Sequence, residues 1–238
     1  MLLAFACFCA ATLYASVGHA GASAYLAVMA LLAVEPASMK PTALALNLCV
    51  ATIGTLSFGR VGAVPWRALA GFLLGSVPCA FLAAKLPVAP SLFKLTVAAA
   101  LVLGAVRLLW LGRAVEGPDR PPPLPVAVGV GAVVGVLAGV TGTGGGVFLT
   151  PVALFLGWFG ARRAAGLSAA FILANSAAGL LSRPDTLAHL PDSFGMLVVA
   201  VVMGGLIGAT LGSSRFDTVA LRRALAAVLL VAVGKLVL

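Results

Sequence analysis

Long apolar runs, separated by short polar breaks, fill almost the whole chain. Eight runs can be traced, over residues 2–34, 41–58, 66–84, 91–111, 124–158, 164–181, 194–212 and 219–236. Six of them have 18 to 21 residues, close to the roughly 20 that a helix needs to cross the hydrocarbon core of a bilayer. None shows the alternating pattern of a membrane β-barrel strand. The pattern predicts an all-α polytopic membrane protein.

The first and fifth runs are too long for one crossing. They have 33 and 35 residues, and glycines interrupt each near its middle, at Gly18 and Gly21 and again at Gly142–Gly146. Each run is therefore either one long tilted helix or a re-entrant helical hairpin with its glycine tip inside the membrane.

A proline-rich linker divides the chain. Residues 113–123 contain four charged residues and end in three consecutive prolines, which have no free N–H to continue a helix. The predicted organisation is an N-terminal membrane repeat at 1–112, a linker at 113–123 and a C-terminal membrane repeat at 124–238.

The two halves share landmarks in the same order. Gly18 corresponds to Gly142 and Asn47 to Asn175, and the offset between matched positions stays between 124 and 129 residues along the chain. Internal repeats of this kind are frequent in secondary transporters.

The positive charges distinguish between a single tilted helix and a re-entrant hairpin in the long runs. If each long run returns to its starting side, ten of the 15 Lys and Arg residues lie on the linker's side. If each crosses once, the split is seven against eight. Cytoplasmic loops are enriched in Lys and Arg, which favours hairpins. The predicted architecture is two inverted repeats, each a re-entrant hairpin plus three transmembrane helices, with the linker cytoplasmic and the termini periplasmic.

Composition agrees with a membrane protein. Hydrophobic residues make up 62% of the chain and charged residues 9%, with a mean hydropathy of +1.18, whereas soluble domains carry about 25% charged residues. The net charge of +9 does not indicate nucleic-acid binding, because no basic domain stands outside the apolar runs. The first residues lack the basic start of a signal peptide, so we interpret them as retained membrane sequence.

The four cysteines lie in apolar runs and form no CxxC pair. They are interpreted as small buried hydrophobic residues, and neither a metal site nor a cofactor is predicted.

The glycine tips are the strongest candidate for a binding site. A helix that breaks inside the membrane leaves amides without intrahelical partners, and the helix that restarts there directs its N–H groups and positive dipole end at whatever fills the break. Two such tips facing each other would bind a small anion. The residues predicted to contribute to this site are Gly18, His19, Gly21, Ser23, Asn47, Thr141, Gly142, Thr143, Gly144, Gly145 and Asn175.

The side chains near the tips have two interpretations. Ser23, Thr141 and Thr143 add hydroxyl donors, while Asn47 and Asn175 either donate to the ligand or cap the tips. In the alternative, the glycines only pack helices and the hydroxyls bond back to their own helix.

His19 is the only ionisable group predicted at membrane depth. It is either a proton carrier or a titrating anion ligand, or else a neutral, hydrogen-bonded histidine; its matched position holds Thr143. His189 lies in a polar loop and is interpreted as solvated.

The motifs argue against an enzyme. Gly21–Ser23 and Gly166–Ser168 both read G-x-S, but a serine hydrolase also needs a histidine in contact with the serine and an oxyanion hole, and no carboxylate is available in the membrane to orient the histidine. A nucleotide-binding loop of the G-x-x-x-x-G-K-[ST] type is missing from the sequence, so direct ATP hydrolysis is not predicted.

At these motifs the sequence resembles the sulfite exporter TauE/SafE family. The matching pieces are residues 18–27, 41–48, 139–151 and 168–176. The resemblance implies a multi-pass permease of the bacterial inner membrane that exports sulfite or an organosulfonate. The first tip has Ala20 and Ala22 where a fuller glycine run is common in the family.

The expected function is a secondary transporter that exports a small anion through a midplane site between the two tips. An anion channel of the same architecture and a non-transporting scaffold or assembly factor are the alternatives. The expected partners are a small anionic substrate and the lipid bilayer, without nucleic acid, and a homodimer is compatible with the small chain.

Overall fold

The computed structural model describes residues 1–86 and 119–213, together with the single positions 95, 98, 102 and 106. Across these residues the secondary structure is helical, without strands, as the apolar pattern predicted. The helices are α1 (Leu2–Ser16), α2 (Ala22–Leu31), α3 (Pro36–Arg60), α4 (Trp66–Lys85), α5 (Leu124–Thr141), α6 (Gly146–Phe155), α7 (Ala161–Ser182) and α8 (Phe194–Ser213), with a 3₁₀ helix at Pro184–His189. The predicted runs 91–111 and 219–236 and most of the linker lie outside the described residues.

Five helices in the described part are long and apolar enough to cross a membrane, namely α3, α4, α5, α7 and α8. Their outer faces expose large apolar side chains such as Leu74, Val133 and Val199. Lipid solvates such a surface, and water does not. The protein is therefore a multi-pass membrane protein.

Helix α3 begins earlier than the apolar pattern predicted. The pattern begins this segment at residue 41, whereas the helix begins at Pro36 and continues through Pro41. Proline is well accommodated at the first helical position, where its missing N–H leaves no hydrogen bond unmade. Lys40 therefore lies inside the first turns of the helix and not in a loop before it.

Both long runs are interrupted at their glycines. We call residues 17–21, between α1 and α2, the first tip, and residues 142–145, between α5 and α6, the second tip. Gly18 and Gly21 have φ values of +75° and +103°, and their counterparts Gly142 and Gly145 have +70° and +82°. Only glycine adopts this left-handed region without strain. The two matched pairs of glycines thus share the left-handed conformation.

The second long run folds back on itself. The backbone N–H of Arg120, just before α5, donates to the carbonyl oxygen of Trp158, just after α6, at 2.9 Å. The Trp158 ring also packs against Phe72 of α4, with the ring centroids 5.9 Å apart. Because the residues that flank the run are neighbours, α5, the second tip and α6 form a hairpin.

The outer helices of each half pack against the opposite half. Helix α1 of the first half packs along α8 of the second, and α4 of the first along α5 of the second. Gly204 lies against Phe8 and Gly212 against Ser16, so α1 and α8 run parallel. The contacts between α4 and α5 follow the same parallel order. In the predicted repeat, these two helix pairs correspond to each other.

At the centre, α3 packs against its own counterpart α7. Leu44, near the start of α3, lies against Gly179, near the end of α7, while Ala63 just after α3 lies against Gly166. The two central helices consequently run antiparallel. Each tip faces this central pair, and α3 and α7 contribute Asn47 and Ser176, whose side chains bond each other beside the second tip.

Candidate functional site

The side chain of Asn47 joins the two tips. Its Oδ1 accepts a hydrogen bond from the backbone N–H of Ala22, the first residue of α2, at 3.1 Å. Its Nδ2 donates to the carbonyl oxygen of Thr143 in the second tip and to Oγ of Ser176 on α7, both at 3.3 Å. Asn47 has no solvent exposure. The two interrupted helices thus meet around one amide side chain.

Each tip also packs against the central helix of the opposite half. A Cβ on Gly18 would overlap the backbone carbonyl of Ala165 in α7, and one on Gly142 would lie 2.6 Å from Cγ of Lys40 in α3. A Cβ on Gly144 would lie 3.1 Å from Nδ2 of Asn47. These positions need glycine both for their backbone conformation and for space.

The polar side chains of the first tip bond to one another. Oγ of Ser23 donates to the hydroxyl of Tyr14 at 3.0 Å, and the hydroxyl of Tyr25 donates to the carbonyl oxygen of Ala20 at 2.6 Å. Together with the cap that Asn47 places on Ala22, these bonds close the start of α2. The predicted hydroxyl donor Ser23 is therefore already engaged within its own half.

His19 lies at the first tip as predicted and is buried, with 5% exposure. Its Nδ1 lies 3.2 Å from the carbonyl oxygen of Val17, and its ring centroid lies 6.2 Å from that of Tyr14. A carbonyl can only accept, so Nδ1 donates in this hydrogen bond. The arrangement suits the neutral, hydrogen-bonded histidine as well as a titrating one.

The threonines of the second tip bond within their own segment. Oγ1 of Thr141 donates to the carbonyl oxygen of Leu137 at 2.7 Å, and it lies 2.8 Å from Oγ1 of Thr143. The backbone N–H of Thr143 donates to Oγ1 of Thr141 at 3.4 Å. Thr141 therefore follows the interpretation in which a hydroxyl bonds back to its own helix.

The start of α6 differs from the start of α2. The first backbone amides of α6 belong to Gly146 and Val147. No acceptor for either amide occurs among the hydrogen bonds of the described residues, as expected for the first residues of any helix without a side-chain cap. In the first half the corresponding amide of Ala22 is capped by Asn47.

One face of α7 lies against the second tip. Ser168, Phe171, Ile172 and Ser176 all approach Gly144, Gly145 or Gly146, and Asn175 falls on the same face by helical spacing. Asn175 Nδ2 donates to the carbonyl oxygen of Phe171 at 2.9 Å. Its Oδ1 and the Oγ of Ser168 are buried without a hydrogen-bond partner.

The predicted site residues all belong to one buried region. None of the eleven is exposed to solvent, so the arrangement is occluded from both sides. The carboxylates in the described part, Glu35, Asp119, Asp185 and Asp192, are all outside this region and none is buried. The residues that the structure describes contain no group of three potential metal ligands. Backbone amides and uncharged side chains surround the tips, apart from the half-buried Lys40, whose stem lies against Gly142.

Sequence reasoning missed four residues of this region. Ser176 bonds Asn47 and adjoins a predicted residue. Ser168 belongs to a G-x-S motif that was weighed only as a hydrolase signal, and Tyr14 carried no sequence signal beyond its position in a helix. Lys40 lies seven residues before Asn47, which places both on one face of α3, and it is only half-buried. The sequence shows this spacing, but the apolar pattern placed Lys40 in a loop and so hid that it shares a face with Asn47.

Comparison with known proteins gives matches over nearly the full length. A family model described as "Sulfite exporter TauE/SafE" matches residues 3–236. A protein of Sinorhizobium fredii (strain NBRC 101917 / NGR234) named "Probable membrane transporter protein y4hK" is 40% identical over 238 residues, which cover 98% of this chain and 96% of that protein. No solved structure matches the chain.

Proposed function

This chain belongs to the sulfite exporter TauE/SafE family, and from that premise we propose that it carries a small oxyanion across the bilayer at a site between its two tips. It is a membrane transporter and not an enzyme. The proposed substrate is sulfite or an organosulfonate, because the family description names sulfite and because both are small oxyanions of the kind that backbone amides bind.

The observation that carries the proposal is the meeting of two helix N-termini at Asn47. Asn47 caps the first amide of α2 and bonds Thr143, three residues before α6 begins at Gly146, and the positive end of a helix dipole favours an anion. The donors are neutral, and none of the described carboxylates is buried beside them. A site of this kind binds an anion mainly through neutral donors, and the cation beside the second tip, Lys40, is only half-buried.

We propose that transport proceeds by alternating access between two inverted halves. The antiparallel packing of α3 against α7 supports the inversion, because counterpart helices related by an axis in the membrane plane must point in opposite directions. The occluded site supports a gated step, since a substrate can enter only when a tip separates from the opposite half. The hydrogen bond from Asn47 to Thr143 links the halves and would break in such a step.

The proposed location is the bacterial inner membrane, with the repeats at 1–112 and 124–238 joined by a cytoplasmic linker at 113–123. Arg60 and Arg67 flank the α3–α4 loop, which packs against the start of α7 beside Arg162 and Arg163. Arg163 in turn pairs with Asp119 at the end of the linker. This gathering of arginines at one end of the bundle supports a cytoplasmic position for that end.

The direct test is sulfite flux in proteoliposomes that contain the purified protein. We expect uptake that saturates with sulfite concentration and that accelerates when unlabelled sulfite is present on the opposite side. Flux without saturation or exchange would favour a channel. A folded protein without flux of sulfite or of any other oxyanion in a panel would favour a scaffold and contradict the proposal.

The Asn47→Asp variant tests the position of the site. The carboxylate keeps an acceptor for the Ala22 amide but loses the donor to Thr143 and places a negative charge between the tips. We expect sulfite flux to fall at least about a hundredfold, since like charges in a low-dielectric site repel by several kcal/mol. His19→Ala and Asn175→Ala proteins, checked for folding by thermal stability in detergent, complete the set. Wild-type affinity and rate in all three variants would show that the binding site does not lie at the tips.

A further inference from the structure

The two tips, although built on matched sequence positions, are not equivalent. The start of α2 is closed by hydrogen bonds from Asn47 to Ala22 and from Ser23 to Tyr14. The start of α6 has no such closure among the described residues, since its matched asparagine, Asn175, bonds the carbonyl of its own helix instead. A repeat with two equal sites would show the same cap in both halves. Ser23 and Ala24 in α2 also have amides without an acceptor among the described residues. What distinguishes α6 is that no side chain of the described part closes its start beside the free amides of Gly146 and Val147.

A hydroxyl without a partner stands beside these donors. Ser168 has no solvent exposure, and its Oγ has no hydrogen-bond partner. Serine in a helix commonly donates to the carbonyl four residues earlier, as Thr150 and Thr12 do in this protein. Ser168 does not, and it lies so close to Gly146 that a Cβ on this glycine would overlap its Oγ. The hydroxyl thus lies directly against the first residue of α6.

An unsatisfied hydroxyl buried in a protein is costly and calls for a partner. The neighbouring unpaired groups at the start of α6 are themselves donors, the amides of Gly146 and Val147, so none of them can accept a hydrogen bond. One anion would satisfy the hydroxyl and both amides together. The nearest unpaired acceptor on α7, Oδ1 of Asn175, lies seven residues farther along the helix, or about 10 Å at 1.5 Å per residue.

We propose that the transported anion is held at the second tip, with Oγ of Ser168 and the amides of Gly146 and Val147 as its ligands, while the first tip is a structural counterpart held closed by Asn47. The inference rests on the proposed function and assigns its binding site to one end of α6. It adds Ser168, which touches the substrate, to the residues predicted from sequence.

The test compares Ser168→Ala with Ser76→Ala. Ser76 is also fully buried with an unpaired Oγ, but it lies between α4 and α5 against Gly135. Both substitutions remove a hydroxyl that bonds nothing in the occluded protein, so neither should lower the melting temperature. In proteoliposomes we expect Ser168→Ala to raise the sulfite concentration for half-maximal flux about tenfold or more, as for loss of a hydrogen bond to a charged group. Ser76→Ala should transport as the wild type does.

The outcomes separate this inference from the proposed function. If the wild type moves no oxyanion, the proposed function fails before Ser168 is tested. If the wild type moves sulfite and Ser168→Ala matches Ser76→Ala in half-maximal concentration, the assignment to the second tip is wrong. A Ser168→Thr protein, which keeps the hydroxyl, should retain an affinity closer to that of the wild type than Ser168→Ala does if the hydroxyl is a ligand. Equal affinities of the Thr and Ala proteins would also overturn the inference.

Discussion

Lys40 is a cation in the first turns of a membrane helix, and its aliphatic stem lies against Gly142 of the second tip. The ion pairs in residues 1–86 and 119–213 are Arg163 with Asp119 and Arg183 with Asp185, so Lys40 has no carboxylate partner there. Charged groups at membrane depth are costly and commonly serve a transported ion or a partner. Lys40 is accordingly placed to attract an anion towards the second tip.

Replacing this cation should weaken the attraction without disturbing the fold. We expect Lys40→Gln to raise the sulfite concentration for half-maximal flux by about tenfold, which corresponds to about 1.4 kcal/mol, and to make that concentration less sensitive to salt. Lys85→Gln is the matched control. Lys85 ends α4 on the same side of the bundle, but its ammonium stacks on the Phe81 ring at 4.3 Å. Equal effects of both substitutions on flux would show that Lys40 acts only through surface charge.

Residue types indicated the region of the site, while the partners of each residue depended on tertiary structure. An asparagine in the middle of an apolar run must find a hydrogen bond, and for this reason Asn47 could be chosen from the sequence. The repeat gave Asn175 the same role, but in the structure its Nδ2 bonds the Phe171 carbonyl of its own helix and not a tip, as Asn47 does. Likewise the sequence does not show that the hydroxyl of Ser168 is unpaired while that of Ser182 bonds Gly179.

At the scale of elements, glycine stripes set the packing of the outer helices. Gly204, Gly208 and Gly212 repeat every four residues along one face of α8 and lie on the backbone of α1. Small residues at this spacing let membrane helices approach closely where no hydrophobic effect drives them together. The counterpart pair uses glycines on α5 against α4 in the same way. The stripes hold the two hairpins in place against the opposite half.

A single methyl group in this stripe should destabilise the protein. A Cβ on Gly208 would overlap the carbonyl oxygen of Thr12, a backbone atom that cannot move aside without shifting α1. We expect Gly208→Ala to lower the free energy of unfolding by about 1–3 kcal/mol, as overpacking does in other cores. Thermal unfolding in detergent measures the effect. Gly195→Ala on the same helix has open space around its Cβ and should leave the melting temperature unchanged or slightly higher; a matching loss there would contradict the packing argument.

Helix ends were predictable where apolar length alone decides them. The pattern placed α4 at residues 66–84 and the start of α8 at 194; α4 begins at Trp66 and ends one residue past its limit, at Lys85, and α8 begins at Phe194. The sequence also predicted where the two long runs are interrupted, because closely spaced glycines weaken a helix regardless of its surroundings. The pattern could not predict that α1 packs along α8 and α4 along α5, because the glycine stripe of α8 specifies a close contact but not the partner helix. That choice is made by the whole fold.

For the whole molecule, the arrangement of halves makes a prediction about sidedness. Helix α3 begins beside the 3₁₀ helix at Pro184–His189 and ends beside the start of α7. The loops at these two ends therefore lie on opposite sides of the bilayer if α3 spans it. The positive-inside rule places the end with Arg60 and Arg163 in the cytoplasm, and consequently the 3₁₀ helix in the periplasm.

Single cysteines at the two ends of the bundle would report this orientation. In a background with the four native cysteines replaced by alanine, Val61→Cys and Ala188→Cys each place a thiol at an exposed position in a loop or 3₁₀ helix. In intact bacteria, a membrane-impermeant maleimide should label Ala188→Cys, whereas Val61→Cys should react only after the inner membrane is opened. Labelling of both from outside would mean that α3 does not span the membrane. The reverse pattern would keep the inverted halves but place the linker in the periplasm, against the charge distribution on which the orientation was based.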